Sequence, residues 1–118
     1  MDLTYLREHY PLVAADFADS PYADGEPDAL MGDLASYFRG KEHHVHMSNT
    51  PPGSKGSNKP IYYRAILKVH GTVLSGWTTT HTSYDSALAE GVVRFLEMFE
   101  QHLTMQMTDE LLPPKRTT

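Results

Sequence analysis

The sequence predicts an α+β domain: a three-stranded antiparallel sheet with two helices on one face, in the order α-β-β-β-α, plus an N-terminal helical extension. Three observations predict it. Segments 43–48, 61–69 and 72–82 alternate or are rich in β-branched and aromatic residues, the pattern of strands. His70-Gly71 stands between the second and third of them, where glycine accepts the positive φ of a two-residue hairpin turn. Apolar residues at helical spacing flank the strands on both sides, at 30–38 and 88–103.

Taken in order, Leu3, Leu6, Tyr10, Val13 and Phe17 have helical spacing, with Thr4 as the expected cap. Pro11 interrupts the run and fits the first residue of a new turn, which predicts two short helices or one kinked helix. SPYADGEP (20–27) is dense in turn formers and reads as a linker. The extension is therefore 1–25, the core domain 26–104, and a flexible tail 105–118.

In the next helix Pro27 lies near the start, with Glu26, Asp28 and Asp33 in or near the first turns, where the helix dipole favours anions. Leu30, Leu34, Tyr37 and Phe38 form its buried stripe, and Gly40 is the expected stop, between Arg39 and Lys41. In HHVHMS (43–48), Val45 and Met47 are expected inward and His44, His46 and Ser48 outward. The last helix is capped by Thr82 or Ser83, with Thr82 and Asp85 spaced as a capping box. Its core stripe is Leu88, Val92, Phe95, Leu96, Phe99 and Leu103, and Ala87 and Gly91 are small enough for close packing on a sheet.

A turn at His70-Gly71 sets Val69 opposite Thr72, Leu67 opposite Leu74 and Arg64 opposite Trp77. Ile61, Tyr63, Ala65, Leu67 and Val69 then face the helices. Tyr62, Arg64, Ile66, Lys68, Val73 and Trp77 lie on the other face, as the expected partner-binding surface, with Arg64 and Trp77 placed for a cation–π contact. Two helices cover only one face of a sheet, so the second face is open unless the N-terminal helices fold over it. The long link NTPPGSKGSNKP (49–60) adds Lys55 and Lys59 as loop contacts.

Charge is divided unevenly along the chain. Residues 1–40 carry eight acids and two bases, 41–81 one acid and five bases, and 82–118 six acids and three bases, which sum to the net −5. The middle third is the part that attracts an acidic partner.

An enzyme is not expected. There is no cysteine, no G-x-S-x-G, no P-loop spacing and no H-E-x-x-H. No metal or other cofactor is expected either: His44 and His46 share a strand face beside His43, but a site needs a third ligand such as His81 or an acid. Without cysteines, disulfides and thiolate sites are excluded and the cytosol is the simplest compartment. No apolar run approaches membrane-spanning length, and MDLTYLREHY lacks the basic start and apolar block of a secretion signal.

The run PIYYRAILKV-HG-TVLSG-WTTTHTS-YDSALAEGVVRFL, preceded by the 28–40 helix, resembles the double-stranded-RNA-binding domain over residues 28–103. Gly71, Gly76, Ser83 and Ala87 stand near that family's small residues. The likeness implies an α-β-β-β-α fold and, as an alternative function, nucleic-acid binding through the 49–60 loop and the central strands. Where the family places phosphate-gripping lysines, this chain has Ser83-Tyr84-Asp85-Ser86. The ending TSYDSALAEGVVRFLEMFEQ is also similar to small uncharacterised bacterial and phage proteins, which implies such an origin. The leading functional expectation is a non-enzymatic interaction module that binds a protein partner, or itself as a homodimer, through the open sheet face.

Overall fold

The computed structural model describes residues 1–49, 62–77 and 79–111, with the side chains of 75–77 and 109–111 excepted. In chain order they form α1 (Leu3–His9), α2 (Pro11–Ala18), a 3-10 turn (Pro27–Ala29), α3 (Leu30–Gly40), β1 (His43–Asn49), β2 (Tyr63–Val69), β3 (Thr72–Trp77) and α4 (Tyr84–Leu111). The sheet is antiparallel with β2 in the centre. The α+β class and the helix-on-sheet layering are those the sequence predicts.

The N-terminal segment is two helices, broken where Pro11 takes the first position of α2. The cap of α1 is Asp2, whose Oδ1 accepts from the Tyr5 amide at 2.8 Å, and not Thr4. α4 is capped by Ser83, whose Oγ accepts from the Ser86 amide at 3.1 Å, and not through a Thr82–Asp85 box. It runs on to Leu111, through residues 105–111 that the sequence assigns to a flexible tail.

α3 ends at Gly40 as expected, but the residue that turns the chain left-handed is Glu42, at φ 60°. The hairpin is the expected one, with His70 at φ 50° and Gly71 at φ 80°, the positive pair that matches strand twist.

One core holds the layers together. Leu34 and Phe38 of α3, Val92, Phe95 and Leu96 of α4 and Leu67 of β2 pack with Leu6, Val13 and Phe17 from the two N-terminal helices. Leu12 and Val13 amides donate to the Glu100 carboxylate at 2.9–3.2 Å, which fixes the start of α2 on α4. Phe17 meets Tyr37 edge-on, and the Tyr37 hydroxyl donates to Asp16, tying α2 to α3. The extension therefore packs on the helix layer.

α3 packs on β1, and α4 on β1 and β2. Leu74 of β3, expected under the helices opposite Leu67, is instead 43% exposed. Among the described residues no helix is long and apolar enough to cross a membrane.

Candidate functional site

β2 alternates as a half-buried strand must. Ala65 and Leu67 lie under α4, so Arg64, Ile66 and Lys68 point to the opposite face. Residues directly opposite in an antiparallel pair share a face. Ser48 pairs with Arg64, His46 with Ile66 and His44 with Lys68, while Val73 pairs with Lys68 from the other side. The sheet's second face thus gathers His44, His46 and Ser48, then Arg64, Ile66 and Lys68, then Val73. Arg64, His44 and His46 are exposed, Ile66 and Lys68 half-buried, Val73 45% exposed, and Tyr62, at the entry to β2, 38% exposed.

The three strands contain no carboxylate. Two permanent cations and two imidazoles therefore stand around an aliphatic centre with no internal counter-charge from the strands. The N-terminal helices do not supply one, because their apolar residues are buried with Leu67 and Phe38 on the other side of the sheet.

The β3 register differs from the simple hairpin. Val69 opposes Thr72 and Lys68 opposes Val73, but the next pair is Ile66 with Trp77. Three residues of β3 thus span the interval that one residue of β2 fills, and the extra length is a bulge. Gly76 lies within it, a residue that weakens a regular ladder and accommodates such kinks. Arg64 is therefore not directly opposite Trp77, as the unbulged register would place it. The Trp77 side chain, Lys55, Lys59 and Ile61 lie outside the described residues.

A second cluster escaped the sequence reading. His81 extends the sheet by one bridge, exchanging backbone hydrogen bonds with Tyr63 at 2.7 and 2.8 Å. Its Nε2 lies 2.8 Å from Glu90 Oε1, the Thr79 hydroxyl donates to the same oxygen, and the Thr79 amide donates to Oε2 at 3.2 Å. Arg94 adds an ion pair at 2.9 Å. Burial alone would raise the Glu90 carboxyl's pKa, but the hydrogen bonds from Thr79 and His81 and the charge of Arg94 outweigh it and hold the group below the usual carboxylate range.

Hydroxyl, imidazole and carboxylate look like a nucleophilic triad, but the geometry excludes a relay. A triad uses opposite nitrogens of the ring for hydroxyl and carboxylate. Here Thr79 Oγ1, at 3.2 Å, and Glu90 both meet Nε2. The cluster anchors residues 79–81 to α4. It also removes His81 as a ligand partner of His44 and His46, because His81 reaches toward α4 while they lie on the other face. Among the described residues no three His, Cys, Asp or Glu side chains group so as to hold a metal ion.

The groove between the starts of α3 and α4 is lined by Asp28, Asp33 and Asp85. Both helix starts are thus acidic. No family model, no curated protein and no solved structure matches this chain.

Proposed function

We propose that the chain is a non-enzymatic interaction module whose open sheet face receives an acidic, partly apolar surface of a protein partner. The observation that carries this reading is the placement of α1 and α2. They bury Leu6, Val13 and Phe17 on the helix side and leave the cation-bearing face without that cover. On that face Arg64 and Lys68, with His44 and His46, supply charge, and Tyr62, Ile66 and Val73 supply apolar area. An exposed aromatic and an arginine beside aliphatic residues are the usual anchors of protein interfaces.

A nucleic-acid partner would share the attraction to cations but not the tolerance of Asp28, Asp33 and Asp85 at the helix starts, since phosphate binding rests on neutralisation. The same assay separates the two. A fluorescent peptide alternating Glu and Leu is titrated against the protein, beside duplex RNA and a Lys-Leu control. The acidic peptide is expected to bind, to weaken with added salt, and to lose about tenfold in affinity, ~1.4 kcal/mol, with Arg64→Glu and Lys68→Glu together. Stronger, salt-steep binding of duplex RNA would overturn the reading in favour of nucleic acid. Equal peptide affinity of the wild type and the double variant would remove the sheet face from it. Light scattering alongside reports whether a second copy occupies the face.

A further inference from the structure

The hairpin end of the sheet holds a feature independent of the open face. Where β1 begins, the β2–β3 turn closes and α4 passes over, a cleft of about 330 Å³ is lined by His43, Val69, His70, Met98, Phe99 and His102. Three imidazoles from three separate elements line it over an apolar floor of Val69, Met98 and Phe99; no carboxylate is among these lining residues, and Glu42 reaches His70 from beside them. We propose that this cleft binds a small organic anion with an apolar body, of the aryl carboxylate class, and takes up protons as it does so.

Two of the histidines, His43 and His70, are held in place. His43 stacks at an angle on Phe99, with ring centroids 4.5 Å apart, and meets Phe95 at 5.3 Å. Its Nδ1 donates to the Lys41 carbonyl at 2.8 Å, so in the neutral ring Nε2 carries the lone pair and accepts the next proton. The His70 ring stands 5.9 Å from that of His43, edge-on, with its Nδ1 2.5 Å from Glu42 Oε2. His102 is carried by α4 on the same side as Met98, one turn earlier.

The backbone also turns left-handed at this spot. Glu42 and His70 are the non-glycine residues with positive φ among those described, and they face each other, joined by the His70 amide to Glu42 carbonyl bond at 2.8 Å as well as by their side chains. Both follow from local turns: the hairpin accounts for His70, and the left-handed stop after α3, where the Glu42 amide donates to the Arg39 carbonyl at 2.9 Å, accounts for Glu42.

The charge balance sets the ligand class. Burial holds His43 below the ordinary histidine range, the Lys41 carbonyl opposes this, and the nearby His70, His102 and His44 add to the lowering. The groups facing His43 are thus His70 from the turn and His102 from α4, with Glu42 engaged by His70; His44, next along the strand, lies on the opposite face. Protonating the cluster sets like charges together. A carboxylate placed among them removes that repulsion, so proton uptake and anion binding each favour the other. The apolar floor then favours an anion with a ring or short alkyl body over inorganic phosphate.

The test uses 4-ethylbenzoate as the probe, followed through the imidazole and aromatic proton signals by NMR. The expected result is binding about tenfold or more tighter near pH 5.5 than near pH 8, with shifts at His43, Phe99 and His102 and a rise in the His43 midpoint. 4-Ethylbenzamide, the uncharged analogue, is expected to show no such pH dependence, and inorganic phosphate to bind more weakly. His102→Gln, at an exposed position that leaves the fold intact, is expected to remove most of the pH dependence. Benzoate binding that is the same at both pH values, or no shift at these three residues near pH 5.5, would overturn the proposal.

Discussion

Gly91 stands where α4 comes closest to the sheet. A Cβ built there would lie 2.7 Å from Val45 Cγ1, 3.4 Å from Leu67 Cδ2 and 3.5 Å from Ala65 Cβ. Gly91→Ala gains about 1 kcal/mol in helix propensity. The short, branched Val45 side chain has little room to yield, and overpacking of this kind costs about 1–3 kcal/mol. The variant is expected to be less stable by up to about 2 kcal/mol in urea unfolding; a more stable variant would show that the helix–sheet approach is looser than the distances indicate. Asp16 gives a pH-dependent counterpart. The Tyr37 hydroxyl bonded to it, and then the Lys41 ammonium at 3.1 Å, hold its carboxyl below the usual range against the effect of burial, while burial first and Asp16 second push the Tyr37 hydroxyl far up. A carboxyl lowered on folding contributes stability above its unfolded pKa and loses it as pH falls through the folded one. Asp16→Asn is therefore expected to lower the Tm at pH 7, with the gap narrowing as pH falls below the ordinary carboxyl range. A gap that stays constant with pH would show that the Asp16 charge contributes nothing.

The elements differ in how far each is fixed by its own residues. The amphipathic stripes of α3 and α4, the alternation of β2 and the His70-Gly71 turn are local patterns, and all of them are present in the fold. What the chain did not announce depends on residues far apart. Asp2 and Thr4 are equally suited to cap α1, and only the observed φ/ψ distinguishes them. The β3 bulge arises from pairing with β2 and shifts Trp77 from Arg64 to Ile66. The Glu90 cluster and the cleft of His43, His70 and His102 join elements whose spacing in sequence carries no signal. Glu100 shows the same dependence. α2 has no side-chain cap of its own, Pro11 offers no N–H, and a carboxylate from α4 takes the next two amides. Glu100→Ala is expected to cost about 1–2 kcal/mol, the scale of a lost cap. Hydrogen exchange is expected to quicken in α1 and α2 and to remain unchanged in β2. Equal acceleration in the sheet would mean that the N-terminal helices are part of one cooperative unit with it.

At the scale of the whole molecule, charge and layering are segregated together. The acidic first third folds onto the helix layer, and the basic middle third forms the sheet, whose far face holds cations on strands that themselves contain no carboxylate. Asp28, Asp33 and Asp85 meet on the opposite, helical side. This polarity gives an acidic partner one favourable approach and an unfavourable one. The open face was legible in the residues because period-two alternation and the helix count both require it. Its freedom from the N-terminal helices was not, since their apolar stripe fits either side of the sheet. The most direct test is to titrate the Glu-Leu peptide into isotope-labelled protein and map the amide shifts. Shifts confined to His44, His46, Arg64, Ile66, Lys68 and Val73, with α3 and the start of α4 silent, are predicted; shifts centred on the helical side, or on neither, would contradict the assignment of the sheet's far face as the binding surface.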